Sequence, residues 1–144
     1  MFSSNDIIDK IVVSTWLPPP ANAFKISFDG AYLKDSQVGV GACVMRNSQG
    51  RAVFSIAKRF HNVSSPAIIE ALALRESIQL AARTQTLNPY FEGDAKSIID
   101  VVLSSKPVEL NCDVILQNYR SLCGELGFTN FSFVRRNCNW AVHE

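Results

Sequence analysis

The chain has almost no excess charge of either sign: 14 Lys and Arg stand against 13 Asp and Glu, a net of +1 over 144 residues. That balance excludes a uniformly basic surface with bulk affinity for nucleic acid, so any basic patch has to be local. Cysteine is also sparse. Cys43, Cys112, Cys123 and Cys138 form no CxxC pair and no cluster at metal-ligand spacing. Their pattern points to reduced thiols in an intracellular protein. No apolar run approaches the ~20 residues of a membrane span, so no membrane partner is expected. The N-terminus lacks the basic segment leading into an apolar run that a secretory signal would carry. No internal repeat is visible.

What remains is an ordinary globular composition, 47% apolar and 19% charged, sufficient for one domain burying roughly two thirds of its unfolded surface. Residues 1–22 read as a leader or linker, because IIDKIVVSTW has no strong period and WLPPPANA is proline-rich and extended. The domain is expected over 23–144, as a monomer. Alternation along Phe24–Lys25–Ile26–Ser27–Phe28–Asp29 predicts a first strand over 24–29, with Phe24, Ile26 and Phe28 on one face. AYLKDSQ is a loop, VGVGACVMR (38–46) a second strand, Asn47-Ser48-Gln49-Gly50 a turn, and RAVFSIAKRF (51–60) a third strand. The short connections imply an antiparallel meander.

The period then changes. Ser65-Pro66 supplies an N-cap and a proline at the first helical position, so a long helix is predicted over residues 66–84. Ala67, Ala71, Leu74, Ile78 and Ala81 fall on one stripe at ~100° per residue, and the alanines would let this helix lie close on a sheet. A fourth strand is expected over 87–93, helices over 95–105 and 113–126, and a fifth strand over 128–136. The order β-β-β-α-β-α-α-β predicts an α/β fold: a five-stranded mixed sheet, three antiparallel strands followed by parallel crossovers, with flanking helices.

Three carboxylates stand at junctions of this pattern. Asp29 closes the first predicted strand, Glu70 lies in the first turns of the long helix, and Asp94 follows the fourth strand. Each has an ordinary reading: an Asp-Gly turn at 29–30, a helix-dipole partner at 70, an N-cap at 94. None of these accounts for the three together. If the first and fourth strands are parallel neighbours, their C-terminal ends lie side by side, about 4.8 Å apart, at the sheet edge where α/β folds place ligands. Converging carboxylates without histidine or thiolate suit Mg²⁺ or Mn²⁺, and two such ions about 3.5–4 Å apart suit phosphoryl displacement.

The segments WLPPP (16–20), KISFDGA (25–31), GVGACVMRNSQG (39–50), IIEALALRES (68–77), FEGDAKSIIDVV (91–102) and RRNCNWAVHE (135–144) occur in one order. Together they resemble the ribonuclease H type 1 family, in particular plant ribonuclease H-like domains related to the reverse transcriptases of non-LTR retroelements. The resemblance implies a ribonuclease H-like fold whose carboxylates bind two Mg²⁺ ions. It implies cleavage of the RNA strand of an RNA–DNA hybrid, leaving a 3′-hydroxyl. Asp29, Glu70 and Asp94 match three of the family's metal-binding carboxylates. The fourth, an aspartate four residues after an asparagine, is His143 here, following Asn139. Histidine can ligate metal or act as acid and base, but it supplies no fourth negative charge. The family continues beyond this point with a helix, so part of the last helix is expected to be missing. Gly30 and Ala31 are small enough for the hybrid's RNA strand to approach. Lys58, Arg59, Arg135 and Arg136 are the local basic candidates, His61 reads as a loop residue, and residues 106–113 offer no basic hybrid-binding protrusion. The alternative expectation is a catalytically weak or inactive relative of retroelement origin that binds nucleic acid or a protein.

Overall fold

In the computed structural model, which describes residues 16–96, 98, 99 and 124–134, the alternation after Phe24 becomes strand β1, Lys25–Leu33. Ile26 and Phe28 are fully buried on one face, and Ser27 and Asp29 are nearly so on the other. β1 does not end at Asp29. It runs on to Leu33 and pairs antiparallel with β2, Val38–Arg46, from Lys25↔Arg46 to Leu33↔Val38. The chain reverses at 34–37 instead, where Gln37 takes a φ of 52°. The turn anticipated at Asp29-Gly30 is therefore absent, since both residues are ladder positions opposite Ala42 and Gly41.

β2 alternates strictly, with Gly39, Gly41, Cys43 and Met45 buried. The next reversal is the expected Asn47–Gly50 turn: the Asn47 side-chain oxygen accepts from the N–H groups of Gln49 and Arg51, each at 3.0 Å, and Gly50 adopts a φ of 79°. β3, Ala52–Phe60, forms the sheet edge and is mostly exposed. A register shift between Met45 and Arg46 leaves Val53 as an extra residue between Phe54 and Ala52, a bulge that twists the edge strand.

Helix α1, Pro66–Arg83, starts as its sequence dictates, with the Ser65 side chain accepting from the Ile68 N–H at 3.3 Å and proline in the first turn. The stripe Ala71, Leu74, Ile78 and Ala81 is buried, and Ala67 half-buried. The close approach to the sheet is made elsewhere on the helix. A Cβ placed on Gly39 would come within 2.6 Å of Ile69, and one on Gly41 within 3.3 Å of Ala73. A single apolar stripe understates this helix because Ile68, Ile69, Leu72, Ala73 and Leu80 are buried as well, in a core shared with Ile98 and Ile99. Burying each of its large aliphatic side chains stabilises the fold by about 1.5–3 kcal/mol.

β4, Tyr90–Gly93, pairs parallel with β1, and β5, Asn130–Phe133, pairs parallel with β4. Phe91 and Phe131 stack across that second pair with ring centroids 5.0 Å apart. The strand order β3-β2-β1-β4-β5 is the expected mixed sheet. β4 and β5 are shorter than the predicted spans, because Leu87 and Asn88 belong to the connection, where Asn88 bonds the backbone of Leu126 and Phe128. The helices expected over 95–105 and 113–126 fall mostly outside the described residues, although Lys96, Ile98 and Ile99 are helical. Among the described residues, no helix is long and apolar enough to cross a membrane. Cys43 sits in the core, where burial and then the charge of Glu76 push its thiol up to about 12; this is an inert structural thiol.

Gly93 has no room for a side chain, since a Cβ there would lie 2.5 Å from the ring of the fully buried Phe28. Gly93→Ala is expected to lower unfolding stability by about 1–3 kcal/mol, read as a reduced urea midpoint at unchanged m-value.

Candidate active site

The parallel register of β1 and β4 runs from Lys25↔Tyr90 to Phe28↔Gly93. Asp29 and Asp94 each follow directly on the last pair of this ladder. The third carboxylate comes from above the sheet. A Cβ on Gly30 would meet the Ile69 carbonyl carbon at 3.0 Å and the Glu70 nitrogen at 3.1 Å, so the first turns of α1 rest on this glycine. Gly30 thus has a packing reason to be glycine, while Ala31 is exposed at the next position.

One carboxylate oxygen from each of Asp29, Glu70 and Asp94 lies within 4.8 Å of the others. Asp29 is buried at 6% exposure, and Glu70 and Asp94 are half-buried. Two unit charges about 4–5 Å apart at an effective dielectric near 20 repel by about 3–4 kcal/mol, a repulsion that a bound cation would offset. The donors are hard oxygens, and the described members include no imidazole or thiolate. Oxygens on opposite sides of a six-coordinate ion at ~2.1 Å are about 4.2 Å apart. The observed spread is close enough for small side-chain rotations to close, so the cluster is compatible with a divalent metal.

The three carboxylates singled out from sequence are therefore the three the fold brings together. His143, Arg135, Arg136 and residues 106–113 lie outside the described residues. Lys58 points elsewhere: its ammonium pairs with Glu76 of α1 at 3.5 Å and lies 5.3 Å from the Phe60 ring centroid. Arg59 and His61 are exposed. Sequence reasoning missed a second polar group beside the cluster. Glu92, 1% exposed, accepts from Trp16 Nε1 at 2.6 Å and Ser27 Oγ at 2.7 Å, with Lys25 Nζ at 3.3 Å. Its signal was available, because Glu92 and Ser27 are both polar residues inside predicted strands.

Residues 27–144 match the model of the reverse transcriptase-like family, all but the first 26 residues of the chain. The chain belongs to that family. Among solved structures, this ribonuclease H-like domain is similar to RNase H1 from the halophilic archaeon Halobacterium salinarum NRC-1. The two superpose with a TM-score of 0.77 at 15% identity over 85% of this chain and 92% of that one. The N-terminal RNase H domain of Rv2228c from Mycobacterium tuberculosis gives a TM-score of 0.75 at 12% identity, covering 83% and 87%. LC11-RNase H1, solved in complex with an RNA/DNA hybrid, gives 0.74 at 12% identity, covering 83% and 91%. At these identities the likeness establishes the ribonuclease H-like fold. Comparison with curated proteins finds no match.

The ribonuclease H-like domain carries two buried or half-buried glutamates on α1 with different surroundings: Glu70 belongs to the acidic cluster and Glu76 pairs with Lys58. Glu70→Gln is expected to weaken Mn²⁺ binding at least about tenfold, ~1.4 kcal/mol. Glu76→Gln, whose carboxylate is engaged by Lys58, is expected to leave it unchanged. Calorimetric titration with MnCl₂ checks both.

Proposed function

We propose that this domain is a divalent-metal-dependent endoribonuclease that cuts the RNA strand of RNA–DNA hybrids. The observation that carries the reading is the convergence of Asp29, Glu70 and Asp94 at the end of the β1–β4 pair. Membership of the reverse transcriptase-like family supports it, as does the fold shared with an RNase H1 solved on a hybrid. Mg²⁺ or Mn²⁺, when bound, supplies a Lewis acid for the phosphodiester and lowers the pKa of a coordinated water.

The remaining work falls to the chain itself. Asp29 is carried by the central strand β1, where it pairs with Ala42 of β2. Glu70 is held by a capped helix seated on Gly30. Asp94 follows the last paired residue of β4. Ligands delivered by three separate elements keep their spacing without rearrangement, and this preorganisation makes electrostatic catalysis effective. By its place in the sequence, four residues after Asn139, His143 would serve as a fourth metal ligand or as a proton acceptor and donor. Ala31 and the backbone at Gly30 would lie next to the RNA strand, with the hybrid recognised through 2′-hydroxyls and phosphates in preference to base edges. A net charge of +1 leaves that affinity to local contacts and makes it modest.

The test is cleavage of an end-labelled RNA–DNA hybrid with Mg²⁺ or Mn²⁺. Wild type is expected to cut the RNA strand, and Asp94→Asn to cut it at least about a hundredfold more slowly, ~2.7 kcal/mol in the barrier. Equal cleavage by both chains, or cleavage by neither, contradicts the proposal; hybrid binding without cleavage points to a binding domain.

A further inference from the structure

The proposed reaction makes no use of the Glu92 carboxylate, although it is among the most buried polar groups described. A carboxylate at that depth costs several kcal/mol unless it is paired and fully hydrogen-bonded, and this one is held from three directions. Trp16 and Ser27 donate to Oε1, and Lys25 lies against Oε2. The Lys25 ammonium also donates to the Leu17 carbonyl at 2.6 Å and sits 5.3 Å from the Trp16 ring centroid. The other edge of the indole reaches the β2–β3 turn, 3.4 Å from where a Cβ on Gly50 would lie. One side chain thus spans β4, β1 and the β2–β3 turn.

The position of this clasp gives it a consequence for the site. Ser27 pairs with Glu92 in the β1–β4 ladder, and each stands two residues before a member of the acidic cluster. The Ser27–Glu92 pair is the last but one of the ladder, which ends at Phe28↔Gly93, immediately before Asp29 and Asp94. β4 is only four residues long, and the end of so short a strand opens readily unless something pins it. Groups that orient a ligand through hydrogen bonds behind it commonly govern metal affinity.

We propose that Trp16 and Glu92 are positioning residues for Asp94: the indole–carboxylate bond holds the end of β4 in register with β1 and thereby sets the affinity of the acidic cluster for its cation. Trp16 lies outside the stretch that matches the family, so the segment before β1 is assigned a part in the site. The inference rests on the reading that Asp29, Glu70 and Asp94 hold a divalent cation.

The test uses the full chain with Trp16→Phe, Glu92→Gln and, as a comparison, Leu80→Ala in the last turn of α1. MnCl₂ titration by calorimetry and amide hydrogen exchange by NMR are run at a temperature where all are folded. Trp16→Phe is expected to weaken Mn²⁺ binding about tenfold and Glu92→Gln, which keeps an oxygen for Trp16 and Ser27, about threefold. In Trp16→Phe, exchange at residues 91–94 should rise at least about tenfold while β2 and β3 stay protected. Leu80→Ala should lower Tm and change neither reading. Mn²⁺ affinity and exchange at 91–94 that match wild type, or that only follow Tm as in Leu80→Ala, overturn the proposal. A wild-type chain that takes up no Mn²⁺ fails the metal reading separately. The exchange arm then decides the clasp by itself: protection lost at 91–94 in Trp16→Phe supports it, and protection retained overturns it.

Discussion

The parallel pairing of β1 with β4 is the constraint on which the rest of this structure depends, because it turns two aspartates 65 positions apart into neighbours. The pairing is secured on the core face by Phe28 lying over the bare α-carbon of Gly93 and on the other face by the Ser27–Glu92 hydrogen bond. That register ends at Phe28↔Gly93, directly before Asp29 and Asp94, whose carboxylates reach within 4.8 Å of each other and of Glu70. The core thus holds in place the elements that carry the three carboxylates.

Helix α1 completes the arrangement and shows how one element separates two uses of the same residue type. Glu70 is carried to the cluster by the first turns, where the Ser65 cap and Gly30 fix the helix against the sheet. Six residues later, Glu76 is more deeply buried but has Lys58 of the edge strand against it. That lysine lies 3.5 Å from the Glu76 carboxylate. Burial alone does not mark a functional carboxylate; its neighbours do.

Much of this was legible in the sequence. The strand alternation, the change to a helical period after Ser65-Pro66 and the order of elements yielded the mixed sheet, and the junction positions of Asp29, Glu70 and Asp94 yielded the cluster. What was misread shares one physical cause, that a local pattern does not show what covers an element's second face. Asp29-Gly30 looked like a turn because that dipeptide closes hairpins, yet β1 is central and continues through it to Leu33. The alanine stripe of α1 looked like its sheet-facing side, whereas Ile69 and Ala73 make the close approach over Gly39 and Gly41. The Trp16–Glu92 bond joins residues 76 positions apart, and no periodicity encodes a contact of that range.

The central claim is that three carboxylates from β1, α1 and the end of β4 form one cation site. Crystals soaked in MnCl₂ and measured at the manganese absorption edge test it most directly. The account predicts an anomalous peak between Asp29, Glu70 and Asp94, within about 2.0–2.3 Å of a carboxylate oxygen from each. Well-ordered carboxylates with no anomalous density among them, at Mn²⁺ concentrations that label other sites, would contradict it.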